Sequence, residues 1–338
     1  MGRPVRLDVT VRLTTDPRDA AQALFDGHLA ALPTETVYGL GARADQASAI
    51  ARVYAVKGRP ADHPLIVHVA GIEALDAWGC DIPDYARVLA SASWPGPLTL
   101  VVRRTDAARD FITGGQGSVA VRVSAHPLMA AVLARLADLT GDPSIGIAAP
   151  SANRFGRVSP TSAAHVVEEL ADLMTDDDIV LDGGECRVGL ESTIIDCTGD
   201  GPLLLRPGAV TTDDVMRITG LPCPAGSTIR ASGTLASHYS PAANVRLIAA
   251  ADLPYPAGEP AKRDRPTLGL LAMAEIATPA GVVRLAAPRT SDEYARVLYS
   301  ALREADALGL QHVLVVAPGP GGVGAAVIDR LTRAAHGE

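Results

Sequence analysis

Lysine is almost missing from this chain. Lys57 and Lys262 are the only two, and arginine supplies every other Lys/Arg position. A chain that otherwise uses arginine but keeps a lysine at 57 marks that residue as a candidate for point-charge contact with phosphate. Aromatic residues amount to 4% of the sequence and are not interleaved with basic ones, which argues against a base-stacking RNA-binding module. The formal net charge of −8 points the same way, because phosphate contacts dominate nucleic-acid affinity. The four cysteines, Cys80, Cys186, Cys197 and Cys223, form no CxxC pair. Their scatter argues against a zinc site or a disulfide framework and reads them as small buried hydrophobes. No apolar run approaches the ~20 residues of a membrane span. The opening MGRPVRLDVTVRL has no continuous apolar stretch and no small-residue cleavage site, so a cytoplasmic location away from membranes is expected. A Walker A loop, HExxH, GxSxG and the kinase motifs are all absent, so a nucleotide site here must be of another type.

What is present is an α/β pattern on a two-domain scale. At 338 residues the chain exceeds one ordinary core, since domains cluster at roughly 100–200 residues. Asp16 and Pro17 read as an N-cap and first-turn pair for a helix closing at Gly27. Buried strands are expected near 28–32, 65–69, 98–102, 119–123, 145–149, 179–181 and 193–196. Helices are expected near 47–56, 127–137 and 212–218. Residues 221–241, LPCPAGSTIRASGTLASHYSP, carry Pro, Gly and Ser with no apolar period. They read as a linker, and one long enough to be functional. Strands near 245–249, 268–271 and 312–316 then alternate with helices near 292–307 and 324–335, which predicts a small second domain with a parallel sheet. Gly319, Gly321 and Gly324 spell G-x-G-x-x-G, but only fourteen residues follow Gly324. A dinucleotide fold needs a second strand and an acidic residue ~20 positions on, so these glycines read as a tight strand-to-helix turn.

Four segments carry candidate chemistry. PTETVYGLG (33–41) sets hydroxyls and a glutamate directly after a strand, where α/β proteins bind ligands; an ordinary capped turn has the same composition. KGRPADHPLIVH (57–68) puts Lys57 and Arg59 around a glycine, on what reads as an exposed loop suited to a polyphosphate. His68 lies in an apolar strand, where a histidine is more often structural than a ligand. GIAAPSANRFGRVSPTS (146–162) ends a strand in small residues, and Ser151, Asn153, Ser159 and Thr161 follow as neutral donors and acceptors. As a plain surface loop, the same segment would use Ser159 to cap the next helix. ESTIIDCTGDGPLLLRPGAV (191–210) is a hairpin whose Arg206 is placed to reach an anion.

Together these segments resemble the YrdC-like threonylcarbamoyl-AMP synthases in their long, two-domain form. PTETVYGLG, KGRP with PL beyond it, SWPGPLTLV, VAVRVSAHP, APSAN with SPT, and ESTIID with RPG occur in that family's order, and YARVLYSALREAD and GVGAAVIDRL resemble its extra domain. The resemblance covers nearly the whole chain. It implies an α/β fold, with an N-terminal YrdC-like twisted mixed sheet and flanking helices over 1–220, a linker or lid over 221–241, and a smaller Rossmann-like domain over 242–338. The implied reaction joins L-threonine, bicarbonate or CO2, and ATP with Mg2+, giving threonylcarbamoyl-AMP and pyrophosphate. A separate transferase complex then carries the group to adenosine 37 of tRNA, which the synthase itself would bind weakly at most.

By motif, Thr36, His68, Arg122, Ala149 and Ser192 would hold threonine. Arg59, His63, Ser118, Ser151, Asn153, Ser159, Arg206 and Tyr239 would hold ATP, with Lys57 and Arg59 as the catalytic cations; no protein metal ligand is implied. His63 departs from the family's usual asparagine, though a neutral imidazole can still accept or donate one hydrogen bond there. The linker also departs from the usual SPGM element. On physical grounds Arg122 can bind the threonine carboxylate bidentately. The in-line attack on the α-phosphorus needs positioned cations rather than a nucleophile. The labile product calls for a cover, for which Tyr239 in the linker is the candidate. The rival within this fold, a carbamoyltransferase using carbamoyl phosphate, requires additional catalytic domains that the sequence does not show.

Overall fold

A computed structural model describes residues 11–233, 239–253 and 267–336. Lys262, His238 and the rest of 234–238 lie outside the described residues, as do 1–10. Eleven strands form the first sheet: β1 (Arg12–Thr14), β2 (Ala30–Leu32), β3 (Gly39–Arg43), β4 (Ile66–His68), β5 (Gly79–Cys80), β6 (Leu98–Arg104), β7 (Ser118–Arg122), β8 (Ile147–Ala148), β9 (Ile179–Leu181), β10 (Thr193–Asp196) and β11 (Leu203–Arg206). Their order is β1-β9-β2-β3-β8-β4-β7-β6-β10-β11, with β5 paired to β6. Parallel and antiparallel pairs mix: β4 runs parallel to β7 and antiparallel to β8. The inner strands read as continuous apolar runs because both faces are covered, and β2, β4 and β9 are buried throughout. Burying each of these Leu, Ile and Val side chains stabilises the sheet by roughly 1.5–3 kcal/mol.

Local signals set the helix ends. Asp16 accepts from the Arg18 amide to cap Pro17–Phe25. Thr211 and Asp214 close a reciprocal capping box on Thr212–Thr219. Helix Ala47–Lys57 stops because Gly58 takes a left-handed φ of 63°, which costs a glycine little. Three details differ from expectation. The PTETVYGLG segment is only partly loop, because its last glycines already belong to β3, antiparallel to β2. The helix Ala163–Leu170 is capped by Ser162, not Ser159. Cys80 is exposed rather than buried, while the other three cysteines are buried.

The second sheet holds β12 (Asn244–Leu247), β13 (Leu268–Leu271), β14 (Val283–Ala286) and β15 (His312–Val315), all paired in parallel in the order β12-β15-β13-β14. Helices Ser291–Ala307 and Gly324–Ala335 pack on it. The glycine turn before the second helix is tight: a Cβ on Gly324 would lie 1.9 Å from the Gly319 carbonyl oxygen. The apolar core of this half also takes in Val37, Val158 and Leu190 from the first half. The two halves therefore share packing and are not joined by the linker alone. The linker is itself pinned down. The Leu204 amide donates to the Pro224 carbonyl, Ser227 donates to Asp196, and Arg230 reaches the Gly114 carbonyl. Among the described residues no helix is long and apolar enough to cross a membrane.

Candidate active site

The carboxyl end of β4 and that of its parallel neighbour β7 carry His68 and Arg122 in direct register. This is the edge where open α/β sheets bind ligands. Around it opens a partly enclosed cleft. Thr34 and Thr36 line it from the β2–β3 connection, and Ala149 and Ser151 from the end of β8. Arg59, Glu191 and Arg206 add the charged wall, and Ser232, Gly233 and Tyr239 of the linker complete it.

The charges on this wall are unevenly compensated. Arg122 donates from Nη2 to Glu35 Oε1 at 2.6 Å, and the other Glu35 oxygen accepts from Ser124 and the Ala125 amide. Burial alone would raise the Glu35 carboxyl, but Arg122 and these hydrogen bonds outweigh it and hold the carboxyl below its ordinary value. Glu191 accepts from Ser159 at 2.6 Å, Tyr299 at 2.8 Å and Arg330 Nε at 2.9 Å. Burial is again outweighed, here by Arg330 first, and the carboxyl is lowered. Arg59 and Arg206 differ. They are 8% and 3% exposed, yet their hydrogen bonds go to neutral oxygens. Arg59 donates to the Pro64 carbonyl and the Ser232 hydroxyl, and Arg206 to both oxygens of Ser192 and the Ser232 carbonyl. Burial pushes Arg59 down to about 10 and lowers Arg206. Neither forms an ion pair among the described residues. Two buried cations without carboxylate partners facing one cleft favour an anionic ligand. His68 is driven down to about 3 by burial, with Arg122 adding to the shift, so its ring is neutral. Its Nδ1 has no partner among the described residues.

Residues 22–208 match the Sua5/YciO/YrdC family, described as telomere recombination. Residues 208–336 match the C-terminal domain of threonylcarbamoyl-AMP synthase. The chain belongs to the Sua5/YciO/YrdC family. It is 38% identical to the threonylcarbamoyl-AMP synthase of Pyrococcus abyssi, over 94% of this chain and 93% of that one. It is 35% identical to the one of Bacillus subtilis, over 98% and 97%. The crystal structure of Pyrococcus abyssi Sua5 complexed with L-threonine matches with a TM-score of 0.81 at 35% identity, covering 96% of this chain and 97% of that one.

Of the residues that the family motifs single out, this Sua5/YrdC chain brings Thr36, Arg59, His68, Arg122, Ala149, Ser151, Arg206 and Tyr239 onto the cleft. The others stand behind it. Lys57 is not on an exposed loop: it ends a helix, is 3% exposed, and donates from Nζ to the Ser151 carbonyl at 2.5 Å and to the Asn153 carbonyl. Burial, then the Arg59 charge, lowers its pKa well below the ordinary value. Asn153 turns its amide to the carbonyls of Arg154 and Arg157. Ser159 supports Glu191, and Ser192 supports Arg206. His63 sits edge-on to Phe155, whose ring also receives the Arg59 guanidinium at 5.8 Å. Ser118 lines a separate hollow beside Ala231 and Ser232.

Five residues had no role assigned from the sequence. Glu35 and Glu191 lie inside recognised motifs, but nothing linear pairs them with Arg122 and Arg330. Ser232 is an ordinary linker serine until it bridges two arginines. Tyr299 and Arg330 come from the C-terminal half. Arg330 did leave a signal, since it shares one helix face with the buried Ala326, Val327, Leu331 and Ala334.

Proposed function

We propose that this chain joins L-threonine, bicarbonate or CO2, and ATP to give L-threonylcarbamoyl-AMP and pyrophosphate. The observation that carries the reading is the pair of buried, carboxylate-free arginines, Arg59 and Arg206, beside a wall of small neutral groups. Family membership and the threonine named in the relative's structure support the amino-acid half. In this reading Arg59 and Arg206 take phosphate oxygens, with Ser151 and Tyr239 alongside, where charge spreads in the transition state. Thr36, His68 and Ala149 face threonine. Arg122 has Nη2 committed to Glu35, so it offers the threonine carboxylate its remaining face rather than a free two-pronged fork. Lys57, Asn153, Ser159 and Ser192 act by holding these groups in place.

Mg2+ enters with ATP, held by phosphate oxygens and water. The two carboxylates nearest the cleft do not fit a resident metal, because Glu35 and Glu191 have both oxygens occupied. Delivery of the product to a tRNA-modifying transferase, in the cytoplasm, completes the proposal.

Incubation with ATP, Mg2+, bicarbonate and L-threonine, read by mass spectrometry, should give the adenylate. Pyrophosphate release should depend on both threonine and bicarbonate. Serine should lag, because the lost methyl is worth roughly 1–3 kcal/mol. Equal turnover with serine, or none with threonine, overturns the substrate assignment.

A further inference from the structure

Arg330 has no exposed surface and is the largest fully buried side chain described in the molecule. It belongs to the C-terminal half, on helix Gly324–Ala335, yet it ends at the wall of the cleft. Nε donates to Glu191 Oε2 at 2.9 Å, Nη2 to the Pro207 carbonyl at 3.0 Å, and Nη1 to Asp329 at 2.6 Å. Its guanidinium lies 5.3 Å from the centre of the Tyr239 ring. Tyr299, also from the C-terminal half, donates to the same Glu191 oxygen and stacks on Tyr239 with ring centres 5.6 Å apart.

Glu191 poses a problem for an anion-binding cleft. It is a buried carboxylate on the same wall as Arg206, and the two are near enough for each to shift the other electrostatically. An uncompensated Glu191 would draw Arg206 into an internal ion pair, because a buried charge takes the strongest counter-charge within reach. Arg206 instead keeps only neutral acceptors, Ser192 and Ser232.

We propose that Arg330 is a positioning residue contributed by the C-terminal domain: by occupying Glu191 it leaves Arg206 free for the phosphates of the nucleotide. The second domain is then part of the active-site wall, and Glu191 is the joint through which it acts. Arg330 touches no substrate; its effect is carried by Glu191 and the carbonyl of Pro207, the residue next to Arg206. This proposal rests on the synthase reading for the identity of the ligand, but the competition for Arg206 is tested with pyrophosphate alone.

Pyrophosphate binding to the full chain is measured by calorimetry in Arg330→Met, Arg330→Lys, Glu191→Gln and the Glu191→Gln/Arg330→Met pair. Arg330→Met should weaken binding by roughly tenfold or more, the scale on which an uncovered buried charge acts. The double variant should recover most of that loss, because no carboxylate is left to capture Arg206. Arg330→Lys, which keeps the charge, should bind within about threefold of the parent. In turnover assays the KM for ATP should rise in Arg330→Met while the KM for threonine stays near its parent value. A double variant as weak as Arg330→Met, or a lysine variant equally weak, assigns Arg330 a packing role and overturns the proposal. If Arg330→Met does not fold, the lysine variant and Glu191→Gln decide: Glu191→Gln should bind pyrophosphate at least as tightly as the parent, and weaker binding overturns the proposal. Arg330-dependent pyrophosphate binding in a chain that forms no threonylcarbamoyl-AMP would instead defeat the synthase reading alone.

Discussion

Arg122 and Glu35 form a buried ion pair at 2.6 Å, at the point where the ends of β4 and β7 open into the cleft. Both are nearly inaccessible, at 4% and 7%. Removing one partner would strand the other. Arg122→Ala should therefore destabilise the fold by about 3–5 kcal/mol, read by denaturant melts, because Glu35 would remain buried without a counter-charge. Arg122→Lys keeps the charge but cannot serve Glu35 and a substrate carboxylate at once. It should melt near the parent value and show a raised KM for threonine. An unchanged threonine KM would remove Arg122 from the amino-acid subsite.

Lys57 and Arg59 should separate in experiment although two positions apart. Lys57 ties the Ser151 and Asn153 carbonyls, so Lys57→Ala should cost on the order of 3 kcal/mol of stability, the scale of lost hydrogen bonds to a charged group. Arg59→Lys retains a cation beside the cleft and should fold normally. Its ATP-dependent rate should fall by about 10²-fold, in the range seen when an electrostatic contact to the transition state is lost. A Lys57→Ala protein as stable as the parent would return that lysine to the reacting groups.

His68 makes stability depend on pH. Its folded pKa is pushed down to about 3, against roughly 6.5 in an unfolded chain. Between those values the unfolded state binds a proton that the folded state refuses, so stability falls as pH drops through the window. The slope contributed is about 1.4 kcal/mol per pH unit. His68→Asn should flatten the acid side of a Tm-against-pH curve between pH 6 and 4.5. Glu35 and Glu191 work in the same direction but lower, since their depressed values release stability only as pH falls through the carboxylate range. An unaltered slope in the variant would assign the acid sensitivity to other groups.

Tyr239 is 1% exposed, lines the cleft and has a φ of 65°, an uncommon conformation for a tyrosine that its packing against Tyr299 holds in place. A carbamoyl-AMP is labile to water, so removing this ring should admit solvent. Tyr239→Ala should release more free AMP per threonylcarbamoyl-AMP formed, with ATP consumption continuing. Normal coupling in that variant would leave Tyr239 as packing only.

The strands near 65–69, 98–102 and 193–196 were legible because a sheet covered on both faces demands unbroken apolar runs. The start of the first helix was legible because caps are local: Asp16 with Pro17 acts within a few residues. The motifs likewise named most of the cleft, since each strand end brings its own residues to the same edge. Strand β3 was missed because its glycines carry no apolar pattern, yet it lies between β2 and β8 with its residues mostly buried. What the chain by itself determined was therefore most of the buried strands, their ligand-bearing ends and the family. Which charges stay free was decided only in three dimensions. Arg59, Arg122, Arg206 and Arg330 are the same residue type in the sequence. Glu35 neutralises Arg122 across 87 positions, Glu191 neutralises Arg330 across 139, and Arg59 and Arg206 are left with neutral oxygens. A buried ion pair is set by distances of a few ångströms between remote segments, and no local pattern encodes that separation.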